Sequence, residues 1–228
     1  MLRFAPILLA IIYAYAFWRF SAWRTVKDLN ARSSELMDPA LRDVTARLAK
    51  ALDLPKVRVF LYENPVVNGL AGPDGQIYIT RGFLSKMHGG EVTPEEMASV
   101  IAHELGHVAL GHSRRRMIDF SGQNAIRTAL AMILGRFLPG LGMIIANGLM
   151  SLLAAKLSRS DEYEADAYAT ALLIKAGIGS GPQVSLFRKL DTLTGAGGKG
   201  LIAWMLSHPV TDDRIAAIEA NALKWEKR

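Results

Sequence analysis

The segment V-I-A-H-E-L-G-H-V-A-L-G-H, Val100 to His112, holds three of the chain's five histidines. It constrains the fold more than any other stretch, because a mostly apolar run must present several imidazoles at fixed places. Thr93-Pro94-Glu95-Glu96 predicts a helix start just before it. Thr93 can cap, Pro94 suits the first helical position, and Glu96 stands three residues after the cap, as a capping box requires. Val100, Ile101, Leu105, Val108 and Ala109 then fall mainly on one apolar side. Residues four apart on a helix share a face, so His103 and His107 project together and can chelate one ion. Glu104 is rotated by about a third of a turn from His103. It flanks the ion without binding it, where a general base for the attacking water belongs. His112 does not extend this pair. A third histidine at metzincin spacing needs glycine at position 110 and histidine at 113, where this chain has Leu110 and Ser113. On a continuous helix His112 points about 180° from His103, so it reads as a polar residue at the helix end beside Gly111.

A third ligand must come from elsewhere, and a carboxylate suits a pair of imidazoles. Downstream lies S-R-S-D-E-Y-E-A-D, Ser158 to Asp166, read as the opening of a helix that runs to Ala176. Glu162 and Asp166 are four apart and share a face. One can ligate while the other receives the remaining ring N–H of a ligating histidine. The competing reading is an acidic first turn that complements the helix dipole.

H-E-L-G-H followed by S-R-S-D-E-Y-E-A-D resembles the HtpX family of membrane-associated zinc metallopeptidases, relatives of the CAAX prenyl endopeptidases. The family pattern continues with a late H-P-x-x-x-x-R, matched by His208-Pro209-Val210-Thr211-Asp212-Asp213-Arg214. Asn68-Gly69-Leu70-Ala71 is similar to the family's N-A-F-A edge strand, with Gly69 and Leu70 in place of Ala-Phe. The similarity covers roughly residues 41–217. It implies one zinc bound by His103, His107 and Glu162, with Glu104 as general base. It further implies that Asp166 orients a ligating histidine, that His208 stabilises the oxyanion with Asn68 as helper, and that Arg214 supports the site through an acidic partner. The implied activity is endopeptidase cleavage of unfolded or membrane-associated polypeptides, with a role in protein quality control. Two neutral imidazoles and one carboxylate leave a net charge of about +1, which favours a bound water with a pKa near 7. By itself, His208-Pro209 reads as a turn before a helix capped by Thr211.

The expected fold is α+β and mainly helical. A zincin-like core would carry a small β-sheet beside the H-E-x-x-H helix, with a membrane anchor over residues 1–27 and the peptidase domain over 28–228. Phe4 to Trp18 is uncharged and apolar between Arg3 and Arg19. That is short of the ~20 residues that span a bilayer, but snorkelling arginines and Trp18, Phe20 and Trp23 extend it. A cleaved signal peptide is the rival, with Ala14-Tyr15-Ala16 as its site; the bulky Phe17-Trp18 beyond it favours a retained anchor. The implied location is a single pass, in a bacterial inner membrane, and Arg19, Arg24 and Lys27 point to a cytoplasmic body. The absence of cysteine rules out disulfides and thiol chemistry. The net charge of +6 comes with no nucleic-acid-binding pattern, and Arg114-Arg115-Arg116 is its one tight run. The expected partners are therefore an extended polypeptide and lipid.

Asp38-Pro39 opens a predicted helix to near Leu54, with Leu41, Val44, Leu48 and Leu52 on one face. Lys56 to Tyr62 alternates as a strand. Val66–Ala71 and Gln76–Thr80 flank Gly72-Pro73-Asp74-Gly75 as a hairpin, whose exposed edge could draw a peptide across the metal. Residues 125–157 form an apolar block broken at Leu138-Pro139-Gly140, with arms of about 14 and 17 residues, short for a ~30 Å hydrocarbon core. It reads equally as a membrane-dipping hairpin, a lid or two core helices. Gly195 to Gly200, G-A-G-G-K-G, lacks the Ser/Thr and the preceding strand of a phosphate loop. A di-iron bundle needs two Glu-x-x-His units, and only Glu104-x-x-His107 is present. The remaining alternative to an enzyme is a non-catalytic scaffold or chaperone with a relict motif. Such a protein should lack a ligand or the base, and every position is filled.

Overall fold

Four short strands form one mixed sheet in the order β1-β2-β4-β3. They are β1 (Ser33–Glu35), β2 (Val59–Tyr62), β3 (Gly69–Ala71) and β4 (Ile77–Thr80). β2 runs parallel to β4, while β1 and β3 are antiparallel edges. The helices are α1 (Ala5–Ala31), α2 (Pro39–Ala51), α3 (Arg81–His88), α4 (Pro94–Ala109), α5 (Gly142–Lys175), α6 (Gly181–Gly195) and α7 (Asp212–Glu226). Residues 130–137 are also helical. The computed structural model describes residues 5–112, 115, 127, 130–137, 141–195, 208–209 and 211–226. The chain packs as two units, Met1–Thr25 with Gly111–Asp161 and Val26–Leu110 with Glu162–Arg228. The sheet and all candidate site residues belong to the second.

Local chemistry accounts for these elements. Asp38 caps α2, accepting a bond from the Ala40 N–H, and Pro39 follows at the first helical position. α2 stops at Ala51, short of the expected Leu54, because Asp53 adopts φ 56°, a left-handed conformation that breaks the helical path. The capping box at Thr93 and Glu96 is complete in both directions. Glu96 does more than cap, since its buried carboxylate also accepts from the Ser185 hydroxyl and the Lys189 ammonium, tying α4 to α6. The predicted hairpin is β3–β4, with Leu70 opposite Tyr78. Every residue of β4 is buried. Leu48, Ile79, Phe83, Ile101, Leu173 and Ile218 are fully or almost fully buried in the core of this unit. Each contributes roughly 1.5–3 kcal/mol by leaving water.

One expectation changes. Ser158–Asp166 does not open a helix: it lies inside the 34-residue α5, which begins at Gly142. The reading of Glu162 as a first-turn acid therefore falls away, because no helix N-terminus is there for it to complement. Short polar β1, the helix α3 launched by the Thr80 cap, and α6 were not read from the sequence. No helix among the described residues is long and apolar enough to cross a membrane. The break at Leu138-Pro139-Gly140 and all of the G-A-G-G-K-G stretch beyond Gly195 lie outside the described residues.

Candidate metal centre

α4 supplies His103, His107 and Glu104. α5 supplies Glu162 and Asp166. His208 precedes α7, whose first turn carries Arg214. The His103 and His107 Nε2 atoms are 3.1 Å apart. Glu162 places Oε2 at 3.4 Å from His103 Nε2 and Oε1 at 3.5 Å from His107 Nε2. Bonds of about 2.0–2.1 Å in a tetrahedral site put neighbouring donor atoms about 3.3 Å apart. The donor set therefore has both the chemistry and the spacing for a zinc-sized ion. His208 joins the same cluster, and one donor atom from each of His103, His107, Glu162 and His208 lies within 4.8 Å of the others. Its Nδ1 is 2.8 Å from Glu162 Oε2 and its Nε2 is 3.5 Å from Glu104 Oε1. His208 thus touches both the ligand carboxylate and Glu104. His112 is elsewhere, 3.9 Å from Asp161 in the other unit, and takes no part in this cluster.

The supporting contacts fix which nitrogen faces the ion. Asp166 Oδ1 is 2.9 Å from His103 Nδ1. An N–H there leaves Nε2 with its lone pair toward Glu162 and His107. Arg214 then grips Asp166 with a two-pronged bond, Nε to Oδ2 at 2.7 Å and one terminal nitrogen to Oδ1 at 2.9 Å. Its other terminal nitrogen donates to the Pro209 carbonyl at 2.7 Å, which holds the turn that carries His208. The guanidinium lies over the Phe187 ring, 4.9 Å from its centroid, a face that a flat delocalised cation suits. Burial alone would lower the His103 pKa, but its bonds to Asp166 and Glu162 reverse this and raise it to about 9. Burial likewise pushes the Glu162 and Asp166 carboxyls up. The bonds to Glu162 from His103 and His208, and to Asp166 from His103 and Arg214, outweigh that and hold both below the ordinary range. Arg214→Lys removes the fork that Asp166 needs. It should weaken zinc binding by about 10–100-fold, the range for such supporting groups, as read by competition with a chromogenic chelator.

Two buried oxygens in this region have no hydrogen-bond partner among the described residues: Glu104 Oε1 and Asn68 Oδ1. A carboxylate oxygen that accepts no hydrogen bond, with only 2 % of its residue exposed, is costly in a native interior. Beside a metal cluster it suits a group that works on a proton. Asn68 is tied by its backbone: its N–H donates to Thr80 Oγ1, and its carbonyl accepts from the Thr80 N–H and hydroxyl. The following residue brings β3 onto the metal helix, for a Cβ on Gly69 would lie 2.6 Å from Val100 Cγ1 and 3.9 Å from Glu104 Cγ.

The sequence reading gave no role to Gly106. A Cβ there would stand 3.0 Å from the Ala165 carbonyl oxygen and 3.3 Å from Tyr168 Cβ. The missing side chain lets α4 and α5 approach closely enough for Glu162 to meet both histidines. A glycine inside a helix costs about 1 kcal/mol relative to alanine, so its presence there was a readable sign of close packing. Gly106→Val should lower both zinc occupancy and melting temperature, and Gly106→Ala should do so less. Equal zinc retention in all three proteins contradicts this role.

Residues 35–222 match the profile of peptidase family M48. The chain belongs to this family. It is 32% identical over 154 residues to the metalloprotease LoiP of Escherichia coli K12, covering 67% of this chain and 59% of LoiP. It is 33% identical over 179 residues to the metalloprotease YcaL of the same organism, covering 74% and 65%. To the protease HtpX of Pseudomonas paraeruginosa it is 28% identical over 207 residues, covering 75% and 68%. The chain thus spans about three-fifths of LoiP and about two-thirds of the other two. The M48 match runs from β1 through most of α7 and so includes every residue of the cluster.

Proposed function

We propose that this M48 chain is a zinc-dependent endopeptidase acting on extended polypeptides. The observation that carries the reading is the tetrahedral spacing of the His103, His107 and Glu162 donors beside a buried Glu104 oxygen that accepts no hydrogen bond among the described residues. When bound, zinc lowers the pKa of water and polarises a carbonyl. Glu104 takes the proton from the attacking water and delivers it to the leaving amine. Asp166 and Arg214 hold His103 in one tautomer throughout.

The β3 edge is suited to hold the substrate. The Thr80 N–H bonds to the Asn68 carbonyl and the Gly72 N–H to the Gln76 carbonyl, so alternation turns the Gly69 and Ala71 backbone groups away from β4. An extended peptide can add there as a further strand, next to Glu104. Asn68 offers a side-chain amide at the start of that strand. His208 stabilises the oxyanion of the tetrahedral intermediate. His208→Ala should lower kcat by about 10²-fold or more, the scale for losing one oxyanion donor, with little change in KM. A lowered melting point with unchanged kcat per zinc-loaded enzyme would instead return it to a structural turn.

Residues 1–27 attach the enzyme to a membrane in this reading, with a cytoplasmic body, in a bacterial inner membrane, and its substrates are unfolded or membrane-associated proteins of quality control. Phe20 and Trp23 are both 57% exposed on α1, between Arg19 and Arg24, as an interfacial segment requires. Cleavage of casein by the wild type but not by Glu104→Gln tests the enzymatic reading directly.

A further inference from the structure

We infer that the groove between α2 and the turn leading into β2 is a second peptide-binding site, separate from the metal cluster. Its occupant is an extended polypeptide segment with two carboxylate side chains four residues apart and an apolar side chain between them. The inference adds to the endopeptidase reading without depending on it, since no residue of the metal cluster lines the groove.

The groove holds about 540 Å³, in the range of sites that enclose a ligand. One side is a face of α2. Arg42, Ala46 and Lys50 follow one another at four-residue spacing and so stand in a row, with Thr45 and Ala49 beside them. The small side chains in the middle leave room between the two cations. Leu36, Met37, Leu54 and Val57 complete the apolar lining. Met37 is 84% exposed and Leu54 49%, and large apolar side chains left in water around a hollow are suited to a partner.

Charge and backbone together define the occupant. Arg42 and Lys50 are exposed and make no ion pair among the described residues. The acids of the rim are already taken. Glu35 pairs with Lys56 at 2.8 Å and with Arg58 at 3.6 Å, while Asp38 caps α2 and contacts His88 at 2.7 Å. A carboxylate for each of the two cations is the complement. β1 is an edge strand, and beside it the Leu36 N–H bonds to the Val59 carbonyl and the Glu63 N–H to the Arg32 carbonyl. Alternation along this antiparallel pair turns the N–H and C=O groups of Ser33 and Glu35 outward, and Glu35 also lines the groove. A peptide backbone supplies both donors and acceptors at strand spacing. A nucleic acid would meet the cations but leave the apolar lining uncovered. A second copy pairing through β1 would bring two sets of these cations together. Arg42 and Lys50 are eight residues apart, about 12 Å along a helix that rises 1.5 Å per residue. An extended chain covers that length in about four residues, and its alternate side chains point to one side. The segment is therefore acidic, apolar and acidic at alternate positions.

The probe is the fluorescein-labelled, end-blocked peptide Glu-Thr-Leu-Thr-Glu, followed by fluorescence polarisation. The full-length chain carries Glu104→Gln, so that cleavage does not deplete the probe. Binding is expected, and Glu-Thr-Leu-Glu-Thr, whose second carboxylate falls on the opposite side of an extended chain, should bind more weakly. Arg42→Glu with Lys50→Glu turns two attractions into two repulsions and should weaken binding about tenfold or more, with little change in melting temperature. Ala46→Trp keeps both cations but fills the space between them, and should also remove binding. Equal binding of the two peptides, equal binding to the charge-reversed protein, or no binding to the unreversed one overturns the inference. A concentration-dependent dimer that Ala46→Trp abolishes also overturns it, by assigning the groove to a second copy. Casein cleavage by the wild type is a separate readout: its absence would remove the endopeptidase reading and leave the groove standing.

Discussion

Glu104→Gln is expected to keep its zinc and lose its proteolysis. The amide has nearly the shape of the carboxylate, so α4, His103 and His107 keep their places. It cannot accept a proton at neutral pH, so the attacking water loses its base and the leaving amine its proton donor. General acid–base groups contribute about 10²–10⁴-fold, and among the described residues Glu104 is the carboxylate beside the ligand set that keeps a buried oxygen without a hydrogen bond. The loss should fall on kcat, with KM and zinc stoichiometry close to wild type, in a quenched-peptide assay paired with metal analysis. A structural carboxylate would behave differently. Its replacement by glutamine would alter the melting temperature and spare turnover. Near wild-type turnover in a fully zinc-loaded Glu104→Gln would falsify the mechanism, and with it the assignment of the enzyme's base.

The metal helix was legible in the sequence because its signals are local. A capping box and two histidines four residues apart depend only on helical geometry, and the structure reproduces both. The hairpin β3–β4 was equally local, marked by Gly72-Pro73-Asp74-Gly75 between two apolar runs. Glu162 and Asp166 were visible as a pair on one face, but their separate roles were not. Spacing alone could not say which would meet the imidazoles. Here Arg214, 48 residues beyond Asp166, takes up both of the Asp166 oxygens, while Glu162 faces both Nε2 atoms. The start of α5 was misplaced for a related reason. An acidic cluster after Ser158 looks like a first turn, yet the apolar residues before it continue the same helix, and no proline or glycine stands between Gly148 and Asp166 to stop it. β1 has only three polar residues, too few for a periodic signal, and exists because β2 offers it an edge. Gly106 was in plain view within H-E-L-G-H, but its use depends on Ala165 and Tyr168, side by side with it only after folding.

Glu162→Ala is expected to cost the site its metal. Three protein donors become two, and the remaining imidazoles lose a carboxylate that lies within 3.5 Å of both. The net charge of the ligand set also changes, from one that partly neutralises a divalent ion to one that does not. Losing a supporting group costs about 10–100-fold in affinity, so losing a ligand should cost more than that. The loss is compounded by the partners left behind. His208 Nδ1 loses an acceptor at 2.8 Å and the Arg214 guanidinium a contact at 3.4 Å, both in a buried region. Zinc should therefore raise the melting temperature of the wild type, as a ligand specific to the folded state must, and raise that of Glu162→Ala little or not at all. Glu162→Gln separates the two contributions. It can still accept from His208 through its amide oxygen but lacks the charge, so it should recover melting temperature in the absence of zinc more than it recovers zinc affinity. The control is Glu164→Ala, two residues along the same helix, where zinc binding should be unchanged. If Glu164→Ala releases the metal while Glu162→Ala retains it, the ligand set is not the one these distances describe. The carboxylate would then have to come from a different face of α5.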